Sequence, residues 1–104
     1  MKIKALVLAL ALGLVASTAM AGDPMERGVV AFLKGDNNTA LQVFRPLAEK
    51  GNKEAQYHLG YMYQSGIGVK KDNGKALHWY ELAAKQGHTG ASVQAKVVAR
   101  ALKH

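Results

Sequence analysis

The sequence predicts an all-α protein, a short α-solenoid of stacked antiparallel helical hairpins preceded by an N-terminal signal peptide. Three observations predict it. The chain matches itself at an offset of 36 residues; apolar residues recur at helical spacing between Asp or Asn caps and glycine stops; and an uncharged apolar run fills most of the first 21 residues. The offset aligns Asp36-Asn37 with Asp72-Asn73, Ala40-Leu41 with Ala76-Leu77, Phe44 with Tyr80, Ala48 with Ala84 and Gly51 with Gly87. Repeats of this length are helical hairpins, because each unit is amphipathic and covers its apolar face only against a neighbour.

Residues 1–21 read as the export signal. Lys2 and Lys4 supply a positive start, Ala5 to Ala16 is apolar, and Ala19-Met20-Ala21 places small residues where a signal peptidase cuts. The uncharged stretch from Ala5 to Ala21 is 17 residues long and includes Ser17 and Thr18, short of the roughly 20 apolar residues a bilayer span needs. The expectation is cleavage after Ala21 and a mature chain in the periplasm or secreted, with retention as an anchor the alternative.

The repeat domain then occupies residues 22–104: a degenerate unit at 24–51, a complete unit at 52–87 and a terminal helix at 88–104. Asp23 caps the first helix, with Pro24 in its opening turn and Glu26 placed to close a capping box, and the helix runs to about Lys34 before Gly35. Asp36 or Asn37 opens a second helix to Lys50 with Ala40, Leu41, Phe44, Leu47 and Ala48 on one face. Pro46 removes a backbone hydrogen bond within it, so a kink, or a break near Arg45, is expected. Asn52 caps a third helix through Tyr63 or Gln64, stopped by Gly66. Asp72 caps a fourth to Gln86, stopped by Gly87. A fifth runs from about Thr89 to Lys103 with Val93, Val97, Ala101 and Leu102 on its packed side. No run alternates as a strand does.

Composition narrows function. With no cysteine, disulfide scaffolds, thiolate zinc sites, cysteine nucleophiles and lipid-anchored lipoproteins are excluded. The chain is basic, with 14 Lys plus Arg against 7 Asp plus Glu. For an exported chain the anions to be met are lipid headgroups or acidic proteins, not nucleic acid. Lys70-Lys71 is a basic pair within no longer run, so charge alone names no partner.

The residues Ala55-Gln56-Tyr57-His58-Leu59-Gly60-Tyr61-Met62-Tyr63, then Gly66-Ile67-Gly68-Val69, Asp72, Lys75-Ala76, Trp79-Tyr80, Ala83-Ala84 and Gln86-Gly87 closely resemble one complete Sel-1-like repeat, a relative of the tetratricopeptide repeat. Residues 28–52 resemble a degenerate unit whose glycine-containing loop is missing, since Gly35 leads directly to Asp36. Residues 88–104 resemble the first helix of an uncompleted unit, with Ala91 where the pattern has Ala but Ala95 where it has Leu. Physical reasons account for the pattern: Gly60 lets two helices approach, Leu59, Tyr63, Ala76, Tyr80 and Ala83 fill the space between them, and Trp79 packs between hairpins. Gly66 and Gly68 suit a loop that turns back on itself.

No catalytic, metal or cofactor residue is expected. His58, His78, His88 and His104 lack metal-ligand spacing and read as surface residues. The resemblance raises one enzymatic alternative, because some exported members bind penicillin or hydrolyse β-lactams. That chemistry uses an S-x-x-K serine, whereas Lys96 follows Ser92 one residue too late, and those members are cysteine-rich. The favoured reading is a protein–protein interaction module holding an envelope peptide or protein on the concave side, where the first helix of each unit faces. Glu54, Tyr57, Tyr61 and Gln64 are the candidate partner-binding residues, extended by Val30, Leu33 and Val93. On the last helix Lys96, Arg100 and Lys103 form a basic stripe that caps the open end, with contact to a membrane surface or an acidic partner as the alternative.

Overall fold

The computed structural model describes residues 22–103, and the expectations for the signal segment and for His104 lie outside them. Five helices follow one another: α1 Pro24–Leu33, α2 Asn37–Glu49, α3 Lys53–Ser65, α4 Asn73–Lys85 and α5 Thr89–Leu102. Among the described residues there is no strand, and no helix is long and apolar enough to cross a membrane. Each helix packs on the next, and α3 also touches α5. The result is two antiparallel hairpins, α1–α2 and α3–α4, with α5 stacked on the second.

The caps explain why the helices begin where they do. The side chains of Asp23, Asp36, Asn52 and Asp72 accept from the backbone N–H of Met25, Thr39, Ala55 and Lys75, so orphan donors are satisfied from sequence-adjacent groups. At α1 the Asp23 carboxylate takes the Met25 N–H rather than that of Glu26, and Glu26 does not return a bond among the described contacts, so the predicted capping box is replaced by a simple cap. Gly66 ends α3 in the left-handed conformation at φ 70°, which permits the tight loop into α4.

Pro46 behaves differently from the expectation of a break. Helix α2 runs unbroken through it to Glu49, because Pro46 sits in the last turn and is exposed, as is Gln42, whose carbonyl loses the bond. Only one intrahelical bond is forfeited, at an end where water replaces it.

Two apolar clusters hold the stack together. Ala31, Ala40, Val43, Phe44, Ala48, Ala55, Leu59 and Met62 form one between α1, α2 and α3, against which Trp79 packs as predicted. Ala76, Tyr80, Ala83, Ala91 and Val98 form the other between α4 and α5, with Tyr57 and Tyr63 of α3 packed on it. Helix α3 thus serves both. Gln56, 4% exposed, is the buried polar member of the core. Its Nε2 donates to Ala48 O at 3.1 Å, and its Oε1 accepts from Gln86 Nε2, which also donates to Gly51 O. This network ties the C-terminal ends of α2 and α4 through the start of α3, satisfying a side chain that would otherwise be costly to bury.

The packed face of α5 is not the predicted one. Ala91 and Val98 are buried and Ala95 packs beside them, whereas Val93, Val97 and Leu102 are 53%, 47% and 49% exposed and Ala101 is also exposed. Both stripes have helical spacing, so periodicity could not choose between them. Packing against α3 and α4 chose the smaller residues, which let α5 lie close.

Candidate functional site

All six exposed large hydrophobic residues among the described ones lie on α1, α3 and α5: Val30, Leu33, Tyr61, Val93, Val97 and Leu102. None lies on α2 or α4. The exposed apolar residues thus sit on the first helix of each hairpin and on α5, where Val93 and Val97 lie opposite the packed Ala91 and Val98 and Leu102 stands beyond them in the last turn. The Tyr61 ring meets the edge of Phe32 of α1 at 6.0 Å between centroids, at 73°. Across α3, Tyr61 shares a cleft of about 320 Å³ with Gln64, Lys71, Gln94, Val97 and Ala101. An apolar path thus runs from α1 over Tyr61 to Val97.

The four residues singled out from sequence take different positions around it. Tyr61 is 41% exposed and stands in the path itself. Gln64 is half-buried, its Oε1 accepting from the Tyr80 hydroxyl and its Nε2 donating to Gln94 Oε1 at 3.3 Å. Burial, and after it the neighbouring phenols of Tyr57 and Tyr61, raise the Tyr80 pKa, so Tyr80 remains a neutral donor to Gln64. Tyr57 is likewise half-buried rather than outward, stacked on the His88 ring at 4.4 Å and 20°. Glu54 is exposed, and its Oε2 lies 3.2 Å from His88 Nε2. Spacing placed Tyr57, Tyr61 and Gln64 on one stripe of α3; the arrival of α5 beside that stripe covers the first and third.

The histidines depart from the surface reading. His88 is the N-cap of α5, its Nδ1 accepting from Ala91 N at 3.0 Å. An accepting Nδ1 places the ring proton on Nε2, from which the neutral imidazole donates to Glu54. His58 stacks on Phe44 at 4.8 Å and 8° and lies near Phe32 and Tyr57. Burial lowers its pKa; Glu54 opposes that shift and His88 adds to it. Phe32, His58, Tyr57 and His88 form a ladder of rings across α1, α3 and the start of α5, leaving His78 as the exposed histidine of the described set. The signal for His88 was present, since it occupies the position of Asn52 at the repeat offset, but histidine is an uncommon cap.

The basic stripe is where it was predicted. Lys96 and Arg100 on α5 and Lys103 at its C-cap are all exposed. Lys96 stands at the position of Gly60 in the preceding unit, and among the described residues no further helix packs there to require a glycine.

Residues 53–88 match the Sel1 repeat. These residues are the whole of α3, the loop and α4, with the His88 cap of the next helix, so the Sel1 repeat unit coincides with one hairpin. The chain is also similar over a longer stretch to curated proteins. It is 33% identical over 67 residues to the ERAD-associated E3 ubiquitin-protein ligase component HRD3A of Arabidopsis thaliana, covering 64% of this chain and 10% of that protein. It is 34% identical over 65 residues to an exopolysaccharide production negative regulator of Rhizobium leguminosarum bv. viciae, covering 62% and 24%. It is 48% identical over 59 residues to protein sel-1 homolog 2 of Mus musculus, covering 57% and 8%. The chain thus spans a quarter or less of the length of these relatives. No solved structure is a significant match.

Proposed function

We propose that this chain is an exported protein-interaction module that holds an apolar segment of an envelope peptide or protein on the face formed by α1, α3 and α5. The observation that carries this reading is the confinement of the exposed large hydrophobic side chains to those three helices. Apolar side chains gathered on these three helices, and absent from α2 and α4, are the pattern of a surface that is covered part of the time. Tyr61 is the anchor of that surface, with Val97 beside it and Val30 and Leu33 at its far side; a rigid aromatic with a polar tip contributes large contact area at little entropic cost. Tyr57, Gln64 and Glu54 support it from beneath by fixing α5 against α3. The Sel1 repeat match, and the similarity of part of the chain to a ligase component and to a regulator, agree with a role in binding proteins.

Export rests on the charged start, apolar run and Ala19-Met20-Ala21 end of residues 1–21, and the module then works in the periplasm or outside the cell. Intact-mass measurement on the envelope fraction tests it, and a chain that still begins at Met1 rejects cleavage. The binding face is tested by Tyr61→Ala combined with Val97→Ser. Capture of envelope partners should be lost while the helical circular dichroism and the urea midpoint stay close to those of the parent. Undiminished capture rejects the face.

A further inference from the structure

A second recess shares Lys71 with the Tyr61 cleft and otherwise has a different lining. It holds about 380 Å³ and is lined by Tyr63, Val69, Lys70, Lys71, Asp72 and Lys75. The Lys75 ammonium stands 5.4 Å from the centre of the Tyr63 ring. From α2, Arg45 reaches the same ring, its Nη2 donating to the Tyr63 hydroxyl at 3.3 Å. Arg45 of α2 and Lys75 of α4 thus both touch the half-buried Tyr63 ring, and Lys70 and Lys71 of the α3–α4 loop line the recess beside it.

Those cations have no salt-bridge partner. Among the described residues the one contact of that kind is the neutral His88 ring with Glu54, so Arg45, Lys70, Lys71 and Lys75 are all outside salt-bridge distance of a carboxylate. Asp72 is the one acid in the lining, and its Oδ1 is engaged by the backbone N–H of Lys75 as the cap of α4. Gathering like charges without partners is unfavourable, and an arriving anion relieves it. The floor suits an oxyanion as well. Because Tyr63 oxygen accepts from Arg45, its own proton has no acceptor among the described residues, and the Arg45 fork retains further N–H donors for planar carboxylate recognition.

Shape separates the possible bearers of that anion. A bilayer surface is planar and would touch only the rim lysines, leaving the Tyr63 floor empty. Membrane-surface binding also uses apolar side chains beside the cations, yet no exposed large hydrophobic residue lines this recess. We propose that the recess takes an acidic segment of a protein partner, with one carboxylate held by Arg45 and the Tyr63 hydroxyl and neighbouring carboxylates met by Lys70, Lys71 and Lys75. This surface borders the apolar cleft at Lys71, the one residue the two share, and the proposal does not rest on the apolar face.

The test uses a fluorescein-labelled hexaglutamate peptide and the isolated protein, read by anisotropy at low and raised salt. Lys70, Lys71 and Lys75 are replaced together by Gln, and for comparison Lys96, Arg100 and Lys103 are replaced together by Gln, which removes the same charge from α5. The first variant should bind about tenfold or more weakly, while the second and Tyr61→Ala stay within about twofold of the parent. Arg45→Lys, which keeps the charge and loses the fork, should also weaken binding. Added salt should weaken the parent more than the first variant. Equal losses in the two triple variants would show that net charge alone attracts the peptide and overturn the site, as would absence of binding by the parent. Capture by phosphatidylglycerol vesicles that needs Lys70, Lys71 and Lys75, without hexaglutamate binding, would overturn it in favour of a membrane surface.

Discussion

A methyl group placed on Gly60 would lie 2.8 Å from Cδ1 of Tyr80, so the closeness of α3 and α4 depends on the absence of a side chain at that one position. The same relationship occurs in the first hairpin, where a Cβ on Gly28 would lie 2.6 Å from Cε1 of Phe44. Tyr80 follows Phe44 by the repeat offset, but Gly60 follows Gly28 by four residues less, because the first hairpin lacks the longer loop. Glycine against an aromatic ring is thus the contact that both hairpins share.

Gly60→Ala and Gly28→Ala should each lower stability by about 1 to 3 kcal/mol, the usual cost of forcing atoms into a filled space. Urea melts of both variants against the parent decide it, and midpoints equal to that of the parent would mean that neither glycine is at a tight contact.

Replacing His88 by Ala removes a cap, the stacking partner of Tyr57 and the bond to Glu54 together. The expected loss is about 1 to 2 kcal/mol, with His88→Asn recovering the part due to the cap. Glu54→Gln should cost less than about 1 kcal/mol, because its pair is at the surface. A larger loss in Glu54→Gln than in His88→Ala would reverse this assignment.

Stability should fall as pH drops below neutrality. The His58 pKa is lowered in the folded protein, mainly by burial. Between that pKa and the unfolded value of 6.5 the unfolded chain binds more protons. The contribution is therefore complete above 6.5 and is lost as pH falls through 6.5 and on through the folded pKa. His58→Phe keeps an aromatic ring against Phe44 and cannot titrate, so its urea midpoint should change less between neutral pH and about pH 5 than that of the parent. Parallel changes in the two proteins would place the titration elsewhere.

Tyr57 and Tyr61 should separate cleanly. Tyr57→Ala opens a gap between His58, Tyr80 and His88 and should lower the melting temperature. Tyr61→Ala, at a side chain 41% exposed, should stay within about 0.5 kcal/mol of the parent. Equal destabilisation by both would make Tyr61 a core residue and remove it from the proposed binding face.

The sequence by itself determined the helical units. Aspartate and asparagine caps, glycine stops and the 36-residue offset are local signals, each acting through the backbone within a turn of its own position, and the helix ends they predict agree with the structure to within one or two residues. Gly60 was legible too, because a glycine inside a helical run needs a packing reason. What only the tertiary structure decided is which face of each helix meets which neighbour. Helix α5 carries two stripes of equal period, Ala91-Ala95-Val98 and Val93-Val97-Ala101, and burial of the first leaves the second exposed. That choice covers Tyr57 and Gln64 and leaves Tyr61 in the open. Lys70, Lys71 and Lys75 are close in sequence, but only the fold brings Arg45 of α2 to the Tyr63 ring beside them. Periodicity fixes the angle between residues on one helix, but burial and charge clustering depend on where other helices stand, and that is set by the sum of contacts across the stack.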